Sequence, residues 1–154
     1  MTEKFKILGQ YIKDMSSETP NTETYIFVKD NISRYQLDIN ITSKAIKNKM
    51  IEINTIMKFE DKEEAKNKSH FEMTYVTIIA VNDEVKDKKE LEKIILSDAQ
   101  IKIYPDLEKS FLDLLHNSGY KDVKFEKKIN FEELYNQKFN WSNFFSSYFL
   151  NSFY

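Results

Sequence analysis

Residues 10–21 read Gln10-Tyr11-Ile12-Lys13-Asp14-Met15-Ser16-Ser17-Glu18-Thr19-Pro20-Asn21. Pro-Asn is a common turn pair, so the stretch reads as a strand that runs out into a loop. The strand is expected over residues 5–13 and the loop through Pro20. With a strict period of two, Phe5, Ile7 and Tyr11 point one way and Leu8 and Ile12 the other. A strand with apolar residues on both sides is either covered on both faces in places or is an edge strand whose second face meets a partner.

Downstream the pattern is cleaner. Tyr35, Leu37, Ile39 and Ile41 alternate with Arg34, Gln36, Asp38 and Asn40, the mark of a half-buried strand. Residues 50–59 repeat it, with Ile51, Ile53, Met57 and Phe59 against Glu52, Asn54 and Lys58, and Thr42 to Asn48 is short enough for a hairpin. The charged run from Asp61 to Lys68 reads as an exposed loop. A last strand over 70–81 carries Phe71, Met73, Tyr75, Ile79 and Val81 on one face. Its other face begins polar at His70 and Glu72 and turns apolar at Val76, Ile78 and Ala80. Four strands on short links predict an antiparallel meander or a close relative of one.

From Asp87 the period lengthens. Leu91, Ile94 and Ile95 are spaced for a helix, and Tyr104, Leu107, Phe111, Leu114 and Leu115 form a second stripe with Pro105 near its start and Gly119 at its end. A third helix has Asn130 as cap, Glu133 to complete a capping box, and Ile129 and Leu134 as a hydrophobic staple. The fold class is therefore α+β, a four-stranded antiparallel sheet followed by C-terminal helices.

Composition narrows the function. The chain has 154 residues, 41% hydrophobic and 31% charged, which suits one globular domain rather than a disordered chain. No run approaches the roughly 20 apolar residues of a membrane-spanning helix, and the first residues do not read as a secretory signal. With no cysteine there is no disulfide, thiolate metal site or thiol nucleophile. A net charge of −2 lacks the basic excess of a dedicated nucleic-acid binder. His70 and His116 lack metal-ligand spacing, and neither a phosphate loop nor a nucleophile elbow is present, so neither a metal, a cofactor nor enzymatic activity is expected.

Four motifs in order resemble the SecB family of bacterial export chaperones. Tyr11, Lys13, Asp14, Ser16, Glu18, Pro20 and Asn21 fit the family's first strand and turn. Ile103-Tyr104-Pro105 resembles the aromatic-Pro step that opens its long helix, and Gly119-Tyr120 the turn that ends it. Ile129-Asn130-Phe131-Glu132-Glu133-Leu134-Tyr135 resembles the start of its final helix. The resemblance covers roughly residues 5–138, and a SecB-like chaperone domain is expected over 1–138. The chain departs from the pattern at Ser17 and Asn31, where the family often has aromatics, at Val76-Thr77, where it has a Gly pair, and in its weak acidity.

The resemblance implies an ATP-independent cytoplasmic holdase that keeps unfolded secretory precursors translocation-competent and delivers them to SecA, the export motor. It implies a homotetramer, a dimer of dimers joined through first strands, with no nucleic acid and no membrane insertion. The SecA-binding acids would be Asp14, Glu18 and Glu72. A groove for unfolded chains needs extended apolar area, and its candidates are Tyr11, Phe27, Tyr35, Leu37, Ile39 and Tyr104. A SecB-like chaperone dedicated to an antitoxin or another specialised client is the alternative. The stretch 139–154 has no charged side chain, and Trp141, Phe144, Phe145, Tyr148 and Phe149 fall on one helical face. An aromatic helical extension that packs on the same domain or borders the groove is expected there.

Overall fold

The computed structural model describes residues 3–63 and 66–140. Strand β1 (Phe5–Glu18) is followed by helix α1 (Thr22–Asp30), a single 3-10 turn over Ile32–Arg34, and strands β2 (Tyr35–Ile46), β3 (Met50–Asp61) and β4 (His70–Val81). Helix α2 (Lys88–Lys93) passes through a π turn (Ile94–Asp98) into α3 (Ala99–Asn117), and α4 (Phe131–Asn140) closes the described chain.

The sheet order is β1-β4-β3-β2, all neighbours antiparallel. Strands β2 to β4 form the expected meander. The first strand does not lead it: β1 pairs with β4 across the sheet, and the chain returns through α1 to begin β2 at the opposite edge. The β2–β3 hairpin is tighter than residues 42–48 suggested. Ile46 pairs with Met50, and Asn48 and Lys49 take φ of 60° and 59° in the turn. Thr42 to Ile46 are strand because β3 offers a complete ladder opposite them.

Helix α1 lies where the sequence reads as loop and then as β-formers. Thr22, Thr24, Ile26 and Val28 favour a strand on propensity. End chemistry decides instead. The Asn21 side chain accepts from the Thr24 N–H at 2.8 Å, Glu23 sits in the positive first turn, and the Asn31 amide donates to the Phe27 carbonyl at 2.8 Å.

Pro105 lies inside α3, not at its opening. The helix begins earlier because the π turn carries it on from α2, the Ala99 N–H reaching back to the Ile94 carbonyl. Pro105 leaves the Ile101 carbonyl without its helical donor, which is tolerable because both residues are exposed. The π turn also registers helix to sheet. Fully buried Gln100 donates to the Ile95 carbonyl at 3.3 Å and to the Thr55 hydroxyl at 3.2 Å on β3. Gly119 ends α3 in a Schellman turn: the Gly119 N–H reaches the His116 carbonyl and the Tyr120 N–H the Leu115 carbonyl, both at 3.1 Å.

Helices cover one face of the sheet. Ile53, Met57, Phe71, Met73 and Ile79 from β3 and β4 pack with Ile94, Ile95, Ile103, Leu107, Phe111 and Leu115, all essentially without solvent contact. Each such side chain contributes roughly 1.5–3 kcal/mol. Surface ion pairs such as Lys4–Glu90 contribute about 0–1 kcal/mol, so the layer, not the charges, holds the fold. At α4 the Asn130 side chain accepts from the Glu133 N–H at 3.0 Å, as expected of the cap. The Glu133 carboxylate turns along the helix to Gln137 at 3.4 Å. The extension expected over 139–154 starts as the end of α4, and residues 141–154 lie outside the described residues, as do 64–65 of the charged loop.

Candidate functional site

Two edges of the sheet differ in character. Along β2, on the helix side, runs an apolar trough of about 750 Å³ whose lining includes Tyr35 and Leu37 of β2, Phe59 of β3, and Val123, Phe125 and Ile129 from the segment after α3. Phe125 anchors the segment to both layers, its ring 5.8 Å from Phe59 on the sheet and 6.3 Å from Phe111 on α3. His116 fixes the start of the same segment through a 2.9 Å bond between Nε2 and the Val123 carbonyl. Further along β2 a smaller pocket lies between Ile39, Ile41, Leu96, Phe131, Leu134 and Tyr135. Leu37 and Ile39 are only about 7 Å apart along a strand, so the two pockets share one floor.

The floor is firm at its Tyr35 end. Tyr35 is buried, and its hydroxyl accepts from the Ser69 N–H at 3.0 Å. Burial raises the Tyr35 hydroxyl above the ordinary tyrosine range, and the Ser69 bond offsets only part of that. Beside it Asp61, with almost no exposed side chain, accepts from Arg34 at 2.7 Å and from the Glu63 N–H at 2.9 Å. Burial alone would raise the Asp61 carboxyl, but the bonds from Glu63 and Arg34 and the charges of Arg34 and Lys68 hold it below the usual carboxylate range. The trough mouth carries Asp122, Lys124, Glu126 and Lys127, alternating in sign above the apolar floor.

The other edge, β1, carries a row of exposed large apolar side chains: Leu8, Tyr11, Ile12 and Met15, each between 44% and 49% exposed. Register shifts between Ile7 and Gly9 and between Ile12 and Asp14 break the period of two. Ile12 therefore pairs with Tyr75 and falls on the helix side with Phe5 and Ile7, while Tyr11 pairs with Val76 and falls on the open face. The expected grouping of Tyr11 with Phe5 and Ile7 is thus corrected: the bulge at residue 8 reverses it, and a second at residue 13 resets the period for Asp14 to Glu18. Residues 14–18, expected as loop, continue the strand opposite Thr74 to His70.

The six groove candidates do not form one surface. Tyr35 and Leu37 line the trough and Ile39 the pocket beside it. Tyr11 is on the opposite face of the sheet. Tyr104 is buried beneath Phe131, their rings 5.2 Å apart, and burial together with nearby Glu108 drives its hydroxyl well above the tyrosine range. Phe27 lies beneath the Arg34 guanidinium, 5.4 Å from it, and packs against the core. Phe59, Val123, Phe125 and Ile129 line the trough without being among the groove candidates. Val123 and Phe125 alternate with Lys124 and Glu126, a short extended signal in a stretch without regular structure.

The three acids do share a face. Asp14 pairs with Thr74, Glu18 with His70 and Glu72 with Ser16, all on the side of β4 turned away from the buried Phe71 and Met73. Asp14 and Glu18 are exposed. Glu72 is flanked by Lys58 at 3.9 Å and His70 at 3.2 Å. Among the described residues no group of three or more ionisable side chains has metal-site geometry, and no helix is long and apolar enough to cross a membrane.

The described surface thus carries an apolar trough beside one edge strand, a row of exposed apolar side chains along the other, and three carboxylates on the open face. The family model for preprotein translocase subunit SecB matches residues 1–141. A putative protein-export protein SecB from Pelagibacter ubique is 61% identical over 140 residues, spanning 91% of this chain and all of the relative. A protein-export protein SecB from Methylocella silvestris is 22% identical over 129 residues, 84% of this chain and 78% of the relative. The Mycobacterium tuberculosis SecB-like chaperone, solved in complex with a ChAD peptide from an antitoxin, superposes with a TM-score of 0.59 at 10% identity, over 82% of this chain and 91% of that one. The chain belongs to the SecB family of protein-export chaperones, which are not enzymes.

Proposed function

We propose that this protein binds unfolded secretory precursors in the cytoplasm, without ATP, keeps them competent for translocation and delivers them to SecA. The observation that carries the reading is the trough along β2. Its floor of Tyr35, Leu37 and Phe59 is apolar and continues toward Ile39 and Ile41. Beside it lies an edge strand, half of whose backbone donors and acceptors have no partner within the sheet. Apolar area gives affinity without a tailored pocket, and edge backbone groups accept any sequence.

The working assembly is a homotetramer, a dimer of dimers whose protomers join through β1. Supporting it are the exposed Leu8, Ile12 and Met15 on a strand whose outer edge has no strand partner among the described residues. Edge strands are ordinarily protected by charge or cover, and this one exposes four large apolar side chains along its length. SecA docks on the open face through Asp14, Glu18 and Glu72, where carboxylates suit a basic segment and speed encounter. A dedicated antitoxin client is the weaker reading, because the structure solved with such a peptide is 10% identical and supports the fold alone.

The test is suppression of aggregation of a reduced, unfolded precursor by the full chain, with the mass of the assembly measured in the same buffer. Suppression at near-stoichiometric ratio is expected. A chain that leaves aggregation unchanged sinks the reading.

A further inference from the structure

Trough and tail match in chemistry. Residues 141–154 contain Trp141, Phe144, Phe145, Tyr148, Phe149, Leu150, Phe153 and Tyr154, and no charged side chain. That is the composition of a segment which an apolar, sequence-tolerant groove takes up. No charged side chain would have to be desolvated to seat it on a floor of Tyr35, Leu37 and Phe59. The alternating charges at the mouth give it no net field to oppose.

Connectivity brings the tail to the same place. Helix α4 packs Phe131, Leu134 and Tyr135 against Ile39 and Ile41, the continuation of the trough floor. The chain leaves α4 at Asn140 with fourteen residues to follow. Extended, they span up to about 46 Å, more than the roughly 37 Å diameter of a domain this size. The segment lies almost wholly beyond residue 141, where the family match ends.

We propose that residues 141–154 occupy the β2 trough of their own chain as a built-in competitor, displaced when client binds. The inference rests on the trough being the client site. Tethering supplies an effective concentration on the order of 1 mM. A tail with an intrinsic dissociation constant of about 0.1 mM would then weaken apparent client affinity about tenfold. Low-affinity contacts would be screened out, while long unfolded chains that fill trough and edge together would displace the tail.

Trp141 is the only tryptophan, so the full-length protein reports on its own tail. Its emission should be blue-shifted and protected from acrylamide. It should move to the solvent-exposed value when a tryptophan-free, reduced, unfolded precursor is added to saturation, and also in Leu37→Asp. The full-length variant F144S/F145S/Y148S/F149S should expose Trp141 and tighten precursor binding about three- to tenfold. Four results would overturn the proposal: a solvent-exposed Trp141 in the native chain, protection that persists at saturating precursor, protection that depends on protein concentration and so reports a second copy, or unchanged precursor affinity in the tail variant. If no form of the chain holds precursor, the client reading falls alone. Loss of Trp141 protection in Leu37→Asp would still support the tail's seat.

Discussion

The Tyr25 hydroxyl donates to the Gly119 carbonyl at 3.0 Å, and the Tyr25 ring fills the space that a Cβ on Gly119 would need. A Cβ there would come within 2.7 Å of the ring, at a backbone φ of +106° that side chains rarely adopt. The contact ties α1 to the end of α3. Tyr25 and Tyr120 extend it, with ring centroids 5.4 Å apart. Gly119→Ala should therefore cost about 1–3 kcal/mol, or about 3–10 °C in thermal midpoint. Tyr25→Phe, which keeps the ring and loses the bond, should cost about 1 kcal/mol. Equal melting of wild type and Gly119→Ala would contradict the packing.

Asp61 predicts how stability responds to acid. Its folded carboxyl titrates below its unfolded value of about 3.9. Its contribution is thus fully present above the unfolded value and is lost as pH falls through the folded one. Urea midpoints of wild type and Asp61→Asn, compared at pH 7 and pH 3, should converge on acidification. A constant gap would show that Asp61 is not held ionised by Arg34 and Glu63.

Leu37 is half-buried on the trough floor, with its neighbours in β2 and β3 carrying the core. Leu37→Ser should weaken precursor binding about threefold to tenfold while the far-ultraviolet dichroism stays native. The expectation follows from about 1–2 kcal/mol for removing one partly buried aliphatic contact. Unaltered affinity in a folded variant would move the client site elsewhere.

The β1 edge makes a prediction about assembly. Ile12 and Met15 are both exposed and both on the helix side of β1, opposite Tyr75 and Met73. Placing charge on both, as in Ile12→Lys with Met15→Lys, should protect the edge and release lower-mass species in sedimentation. A tetramer of unchanged stability would locate the interface away from β1.

Glu18 and Asp14 lie on the face opposite the trough side of the sheet. Charge reversal at either should weaken SecA binding about threefold to tenfold, more at low salt, and leave precursor holding intact. Loss of holding together with SecA binding would mean that the two faces are not independent.

Much of the fold was legible in the chain. Strands 2 to 4 could be read because each buries one face along most of its length, so solvent imposes a period of two on Tyr35–Ile41, Ile51–Phe59 and the first half of β4, where Val76 is then buried on the other face as well. The cap at Asn130 and the turn at Gly119 were legible because their chemistry is local. Helix α1 was not, since nine residues rich in β-formers are held by Asn21, Asn31 and a contact to Gly119 ninety-four positions away. The trough was half legible: Tyr35, Leu37 and Ile39 could be chosen from alternation, whereas Phe59 and Phe125 meet only once the segment after α3 returns to the sheet.

What the residues determined unaided were properties of neighbours: alternation, helical stripes, caps, an uncharged aromatic end, and the four motifs of the family. What tertiary structure decided was which strands meet and which side a residue faces. The bulges in β1 show why. One inserted residue inverts every side chain beyond it, and only the ladder to β4 says where the insertions fall. Tyr11 thereby lies apart from the trough and the three acids come onto one face, an outcome set by pairing across sixty residues rather than by anything within the strand.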